Sequence, residues 1–363
     1  MSIVIAILVF SLVIIVHEIG HFAAARASGV LVEEFAIGMG PRLFSFTRGE
    51  TVYSLRAFPL GGSCRMLGED ADNRDARAFN SKSIPKRFAI LAAGAAMNFV
   101  LAFVLYLAFT AGHWFYVPVV HDVADNSPAQ AAGLQAGDRI VRANKQSINI
   151  HADYSLAVSD QSGEPITLEI LRNGEKRTLA ITPQRNEAGT RYVIGITWRA
   201  RLGLFYPESE MTDEIRAEYA RAGMGETIAV SFYNTLYATR LVFHGLANLF
   251  TGQASVNDFS GLIGIVVMVD DIQTQSVEVG GVSLAVWNMV QFAALLSANI
   301  GLFNLLPVPA LDGARIVFLL IEGIRRKPVP PEREGMVHFI GFVLLMALAV
   351  FIAYNDIVKL FVK

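Results

Sequence analysis

Residues 14–29 read IIVHEIGHFAAARASG, and the middle of that stretch does not match its flanks. Residues 1–16 hold no charged side chain, then His17, Glu18 and His21 follow within five positions, and apolar sequence resumes at Phe22. A run of this kind predicts a transmembrane helix over about residues 1–27. In a helix, His17 and His21 project from one face one turn apart, so both imidazoles reach a common point. Glu18 lies about 100° round the helix from His17, near enough to reach a water at that point without being a ligand. H-E-x-x-H on a helix is thus a hydrolase pattern with a mechanism behind it. A cleaved signal peptide is the competing reading, with "ARA" at 25–27 as its cleavage site. No basic segment precedes the apolar run, and signal peptides do not bury a His-Glu pair.

Composition points the same way. Of 363 residues, 53% are apolar and only 17% charged, against about 25% charged in soluble domains, and mean hydropathy is +0.44. A single cysteine, Cys64, excludes an intramolecular disulfide framework and a Cys-rich metal site. A net charge of −2 offers no general basic surface for nucleic acid. Further apolar spans are expected at 88–111, within 283–321 (interrupted by NLLPVPALDG) and at 336–354. The fold class is therefore a mainly α-helical polytopic membrane protein of about four transmembrane helices, with one re-entrant β-region and an inserted α+β domain. Ten Lys and Arg residues lie between Arg26 and Arg87, and Arg325, Arg326, Lys327 and Arg333 follow the third span. Both loops should be cytoplasmic, which puts both termini and the long middle segment outside and the polar cluster towards the cytoplasmic side.

Four regions follow. Residues 1–112 hold the first two spans and a cytoplasmic loop whose stretch TVYSLRAFPLGGSCRM (51–66) is β-prone but broken by Pro59 and by Gly61 and Gly62. Such apolar sequence predicts a strand or hairpin dipping into the membrane face, where its backbone must be covered by protein or line a wet cavity. Residues 113–197 alternate strand and helix signals, with turns at 126–128 and 137–138 and a hairpin closed by Asn173-Gly174. Residues 198–282 form a linker containing an amphipathic helix at 226–250, expected to lie on the outer membrane surface; a fifth span is the alternative there. Residues 283–363 carry the last two spans.

Asp312, in NLLPVPALDG, is the other carboxylate expected deep in an apolar span. A charge at the bilayer centre costs roughly 2.5–3.5 kcal/mol, and a divalent cation shared between spans offsets that for Glu18 and Asp312 together. Two histidines and a carboxylate make the ligand set of a catalytic zinc with a position left open for water. Zinc lowers the pKa of that water to about 7, and Glu18 can take its proton and later hand it to the leaving amine. The alternative is a Glu–His pair joining helices, with Asp312 capping the helix after Pro309.

HEIGH in the first span, NLLPVPALDG (304–313) in the third, and FPLGG (58–62), AFNSKSIPKRFAILAAG and FSGLIGIV elsewhere resemble the site-2 proteases, in particular the bacterial regulator-of-sigma-E type. The stretch SPAQAAGLQAGDRIV is similar to a single bacterial-type PDZ domain. The resemblance implies an intramembrane zinc metalloprotease with His17, His21 and Asp312 as ligands and Glu18 as general base. It also implies that Asn304 holds substrate or stabilises the oxyanion, and that Pro59, Leu60, Gly61 and Gly62 belong to an edge strand that pairs with unwound substrate. Implied partners are the lipid bilayer and single-pass membrane proteins such as trimmed anti-sigma factors or signal-peptide remnants, in a bacterial cytoplasmic membrane with the PDZ domain outside. The chain departs from the family at Ala95 and Leu262, usually Pro, and at Ala314, often Gly. Two rivals come from other classes: a membrane-embedded binding protein with a structural metal, and a zinc transporter.

Overall fold

A computed structural model describes residues 2–69, 73–158, 163–186, 192–252, 261–327 and 329–362. In chain order come α1 (Ser2–Ala27), the long strands β1 (Val32–Arg48) and β2 (Thr51–Met66), and α2 (Ile84–Gly112). A mixed region follows: β3 (Phe115–Val123), α3 (Pro128–Ala131), β4 (Arg139–Ala143), β5 (Gln146–Ser147), α4 (His151–Val158), β6 (Ile166–Arg172), β7 (Glu175–Ile181), β8 (Gln184–Arg185), β9 (Tyr192–Val193) and β10 (Ile196–Arg201). The chain ends with α5 (Asp213–Glu218), α6 (Met224–Phe250), α7 (Leu262–Leu305), α8 (Asp312–Arg325) and α9 (Pro331–Val362). Contacts divide it into one unit of residues 1–105 with 242–363, and a second of residues 106–241.

In the first unit, apolar side chains surround α1, α2 and α9 with few charges, the pattern of helices that face lipid. Among the described residues four helices are long and apolar enough to cross a bilayer: Ser2–Ala27, Ile84–Gly112, Ile263–Leu305 and Glu332–Lys359. α6, at 27 residues, is not among them. α7 breaks at Gly281, whose φ of 71° only glycine adopts freely, so the apolar stretch expected from residue 283 begins just past the break. Phe259 and Ser260 of FSGLIGIV lie outside the described residues.

One sequence expectation needs correction. Asp312 is not the only other carboxylate in the apolar helices: α9 runs past Tyr354 and carries Asp356, 4% exposed. Asp356 accepts the backbone N–H groups of Gly261 and Gly264, each at 2.9 Å. It satisfies donors that the first turn of α7 cannot pair internally, which is why a carboxylate is stable there without a metal.

β1 and β2 form a folded sheet, not a simple hairpin. Residues 34–37 pair on one side with 62–65 and on the other with 52–55, while 42–48 pair with 51–56. The strands double back near Gly38 (φ 84°), where a Cβ would lie 2.5 Å from the Phe58 carbonyl oxygen. Glu34 anchors this arrangement from inside, at 2% exposure. It accepts the Ser54 hydroxyl at 2.6 Å and the Arg42 and Arg56 guanidinium groups at 3.0 and 3.1 Å. Burial pushes its carboxyl up, but Ser54, Arg56 and Arg42 outweigh that and hold it below its ordinary value. A core of Val30, Val32, Met66, Phe79, Ile90 and Leu319 joins the sheet to α1, α2 and α8. Two ion pairs fix α8 further, Arg87 of α2 with Glu322 and Glu69 beyond β2 with Arg315.

In the second unit the strands run β10-β3-β4-β6-β7, with β5 on β4. Inward residues Val120, Ile140, Leu168, Ile170 and Ile181 make its core, and Tyr154 of α4 packs on it. Asn173 (φ 53°) and Gly174 (φ 84°) both take positive φ, as a two-residue hairpin turn requires. Asp138 of the Gly137-Asp138 turn is buried against Arg172 at 2.6 Å. The sheet continues through β10 to Arg201, past residue 197.

Candidate metal centre

α1 presents His17 and His21 from one face as the four-residue spacing requires, and both are buried. Asp312 arrives from a different direction, as the first residue of α8. Its Oδ2 lies 3.1 Å from the Nε2 of His17 and 3.1 Å from the Nε2 of His21, and the two Nε2 atoms are themselves 3.1 Å apart. Among the described residues this is the one group of three His, Cys, Asp or Glu side chains able to share an ion.

The donor chemistry favours a cation. His21 Nδ1 lies 2.9 Å from the Ile90 carbonyl oxygen. Assigned from that acceptor, the ring proton sits on Nδ1, and Nε2 of the neutral ring is a bare lone pair. That lone pair faces a carboxylate oxygen, acceptor against acceptor, a contact that a shared metal ion relieves. A tetrahedral ion with bonds of about 2.0–2.1 Å spaces its donors by roughly 3.3 Å, close to the three observed edges. No cysteine belongs to the triangle, and a set of two nitrogens and one oxygen suits zinc.

α2 supplies the wall. A Cβ on Gly94 would lie 2.3 Å from His21 Nε2 and 2.6 Å from His17 Cε1, so only glycine leaves room for the two imidazoles. Gly20 performs the same service between helices, since a Cβ there would lie 2.3 Å from the Ala93 carbonyl oxygen. One turn beyond Gly94, fully buried Asn98 meets His17 Nδ1 at 3.4 Å through its amide nitrogen, while its Oδ1 has no hydrogen-bond partner. Amide oxygen and nitrogen exchange by a half-turn; turned, Oδ1 accepts the His17 Nδ1 proton and leaves Nε2 free as a donor atom. Ser297 of α7 donates its hydroxyl to the backbone carbonyl of Asn98 at 2.8 Å. Neither Gly94 nor Asn98 was singled out in the sequence. A lone amide in an apolar span is a signal that would have found Asn98, whereas Gly94 is one small residue among several in its span.

The remaining expected residues are spread round the cluster. Glu18 is half-buried beside the two histidines, and the Cys64 backbone amide is directed at its carboxylate. β2 passes alongside: a Cβ on Gly62 would lie 3.0 Å from Glu18 Cγ. Gly61 bends the strand at φ 95°, and the Pro59 carbonyl accepts the Ser11 hydroxyl at 2.5 Å. Leu60 lies between them in β2. Asn304 is in the last turn of α7, half-buried, ahead of the Asp312 turn.

Membrane-length helices around a His, His, carboxylate triangle with Glu18 beside it define a membrane-embedded candidate metallohydrolase. The chain belongs to peptidase family M50, which it matches over residues 5–348, and it is a metalloendopeptidase of that family. A Clostridium acetobutylicum protein bearing a zinc metalloprotease name is 37% identical, with 98% of this chain and 97% of that one aligned. The zinc metalloprotease RasP of Shouchella clausii is 33% identical over 98% of each chain. The regulator of sigma-W protease RasP of Bacillus subtilis is 29% identical, also over 98% of each.

Proposed function

We propose that this chain is an intramembrane zinc metalloprotease that hydrolyses a peptide bond within or next to a transmembrane segment of another membrane protein. The observation that carries the reading is the triangle of His17, His21 and Asp312 donor atoms with 3.1 Å edges inside a bundle of membrane-length helices. These three side chains hold the zinc. When bound, zinc acts as a Lewis acid towards a carbonyl and acidifies water. Glu18 is the general base: its carboxylate takes the proton from the attacking water and passes it to the leaving amine. Asn98 and the Ile90 carbonyl orient the two imidazoles, as outer partners of metal-bound histidines do.

A peptide bond in a transmembrane helix is already hydrogen-bonded, and freeing it in lipid strands polar groups. The segment of β2 at Pro59, Leu60, Gly61 and Gly62 runs past Glu18, and its outer edge pairs with unwound substrate backbone by strand addition. Asn304 contacts the substrate or the oxyanion. The strand order and turns of residues 113–201 support a single PDZ domain of the bacterial type. Its edge strand β10 and α4 flank a cleft of ≈ 790 Å³ that includes Tyr154, Ser155, Val158, Ile196 and Trp198. That domain either binds an extended segment of the partner or filters by size. The distribution of Lys and Arg supports a bacterial cytoplasmic membrane protein with both termini and the PDZ domain outside. The substrate class is single-pass membrane proteins such as trimmed anti-sigma factors or signal-peptide remnants; the sigma-W name of the Bacillus subtilis relative supports the former.

The test is Glu18→Gln. Purified chain should bind about one zinc with or without the change, while cleavage of a membrane-segment reporter should fall by about 10²–10⁴-fold. Mass spectrometry of membrane peptides accumulating in a Glu18→Gln strain would then identify the substrate. Full activity in the variant, or a pure chain that never binds zinc, overturns the reading.

A further inference from the structure

Asp312 depends on a turn that is strained at one residue. The Leu311 N–H bonds to the Val308 carbonyl at 3.1 Å, closing a four-residue turn with Pro309 and Ala310 at its centre. Proline second and a positive φ third is the type II pattern, and the third position normally takes glycine or asparagine. Here it holds Ala310, at φ 74°. A side chain held in that region persists only where its surroundings overdetermine it, and such positions cluster at functional sites.

Two residues of α9 do the holding. His338 Nδ1 accepts the Ala310 N–H at 2.9 Å. One turn further on, α9 comes so close at Gly341 that a Cβ there would lie 2.1 Å from Pro309 Cβ. The clamp therefore grips both central residues of the turn, and the next residue but one after Ala310 is Asp312. From the other side, Gly313 lets the start of α8 close onto the end of α7, where a Cβ would lie 2.1 Å from the Leu306 carbonyl oxygen.

We propose that His338 is a positioning residue for Asp312: by accepting the Ala310 N–H it holds residues 308–311 in the conformation that delivers the carboxylate to His17 and His21. This rests on the reading of those three residues as the zinc site. It assigns to α9, which contributes no ligand, a role in setting metal affinity. His338 lies outside the His17, His21 and Asp312 triangle. It also packs against Phe318 of α8, ring centroids 6.0 Å apart, so the test must separate the bond to the turn from that packing.

The experiment uses the full-length protein in detergent or nanodiscs, and reads zinc affinity by competition with a chelator. His338→Leu removes the acceptor and should weaken zinc binding by about tenfold, at the lower end of what outer-shell partners contribute. His338→Asn places an amide oxygen near the Nδ1 position and should recover affinity to within about threefold of the parent. The decisive variant is Ala310→Gly, which adopts positive φ without strain. In that background His338→Leu should lose about threefold or less, because the turn no longer needs the clamp. An unchanged affinity in His338→Leu overturns the proposal. So does an equal loss with and without the Ala310→Gly change, or no recovery with Asn, since either result means that His338 acts only as packing. His338→Leu protein that fails to fold leaves the Asn variant and the Ala310→Gly double variant to decide. His17→Ala serves as the control for the underlying reading: if it retains zinc like the parent, the metal site itself is wrong, whereas zinc loss there with none in His338→Leu refutes the clamp alone.

Discussion

His17 and His21 are delivered by an unbroken helix, whereas Asp312 is delivered by a turn between two helices. On α1 the spacing of the two histidines is fixed by the helical repeat, and any chain that folds into the helix places both rings on one face. At Asp312 no helical repeat sets the position, and the local turn needs neighbours to hold it. The carboxylate reaches the histidines because Pro309 and Ala310 bend the chain, Gly313 and Gly341 allow close approach, and Arg87 and Glu69 hold α8 through Glu322 and Arg315. One half of the site is encoded by periodicity and the other by packing, so the second half should be easier to displace without unfolding the protein.

The comparison breaks first at Asp312 itself. Asp312→Ala should reduce zinc from about one per chain to background and abolish proteolysis, while far-UV circular dichroism keeps the helical signal of the parent. If the variant keeps its zinc, then the helix-borne histidines hold the metal without the turn, and the two halves do not form one site.

A smaller effect tests whether the histidine half is as self-contained as its periodicity suggests. Gly94 lies on α2 and provides no ligand, but a methyl group there would sit 2.3 Å from His21 Nε2. Gly94→Ala should therefore weaken zinc binding by about tenfold or more, read by chelator competition, as for other partners that orient ligand histidines. The same change at Gly335 of α9, where a Cβ meets nothing within 4 Å, should leave zinc affinity unchanged. Equal affinities for both variants would mean that α2 does not shape the site.

The difference between the two halves is also the difference between what was legible in the sequence and what was not. The spans could be read because apolar runs of membrane length are local, and H-E-x-x-H because its geometry is contained in one helix. Asp312 could be read as an anomaly, a carboxylate in apolar sequence, but not its route to the histidines. Asp356 escaped because the apolar run was cut at Tyr354; its partners, Gly261 and Gly264, are nearly a hundred residues away and belong to a helix start whose needs only the fold reveals. Gly94 and Ala310 are silent for the same reason. Glycine in a run of small residues and alanine after proline look ordinary until the neighbour that constrains them is known. In β2 the strand-forming residues were clear, whereas β1 was not read from the sequence, nor was the double pairing of residues 34–37, because its two partners lie in separate parts of β2 that only the fold brings together.

Glu34 gives the smallest effect and extends the comparison to the strand beside Glu18. Its carboxyl is held below its ordinary value of 4.5 against the opposing effect of burial, by Ser54, Arg56 and Arg42, with Arg65 at 3.8 Å as a further charge. A depressed carboxyl stabilises the folded form at pH values above the unfolded value, and that contribution is lost as pH falls through the folded one. Protection of the β1–β2 sheet against hydrogen exchange should thus be constant from neutral pH down to about 4.5 and fall below it, once intrinsic exchange rates are corrected for. Glu34→Gln removes the titrating group. It should show lower protection of residues 34–56 already at neutral pH, and no acid step of this origin. An acid step of the same size in both proteins would mean that the sheet is held by its backbone pairing alone, in which case the strand beside Glu18 resembles α1, set locally, more than it resembles the turn that carries Asp312.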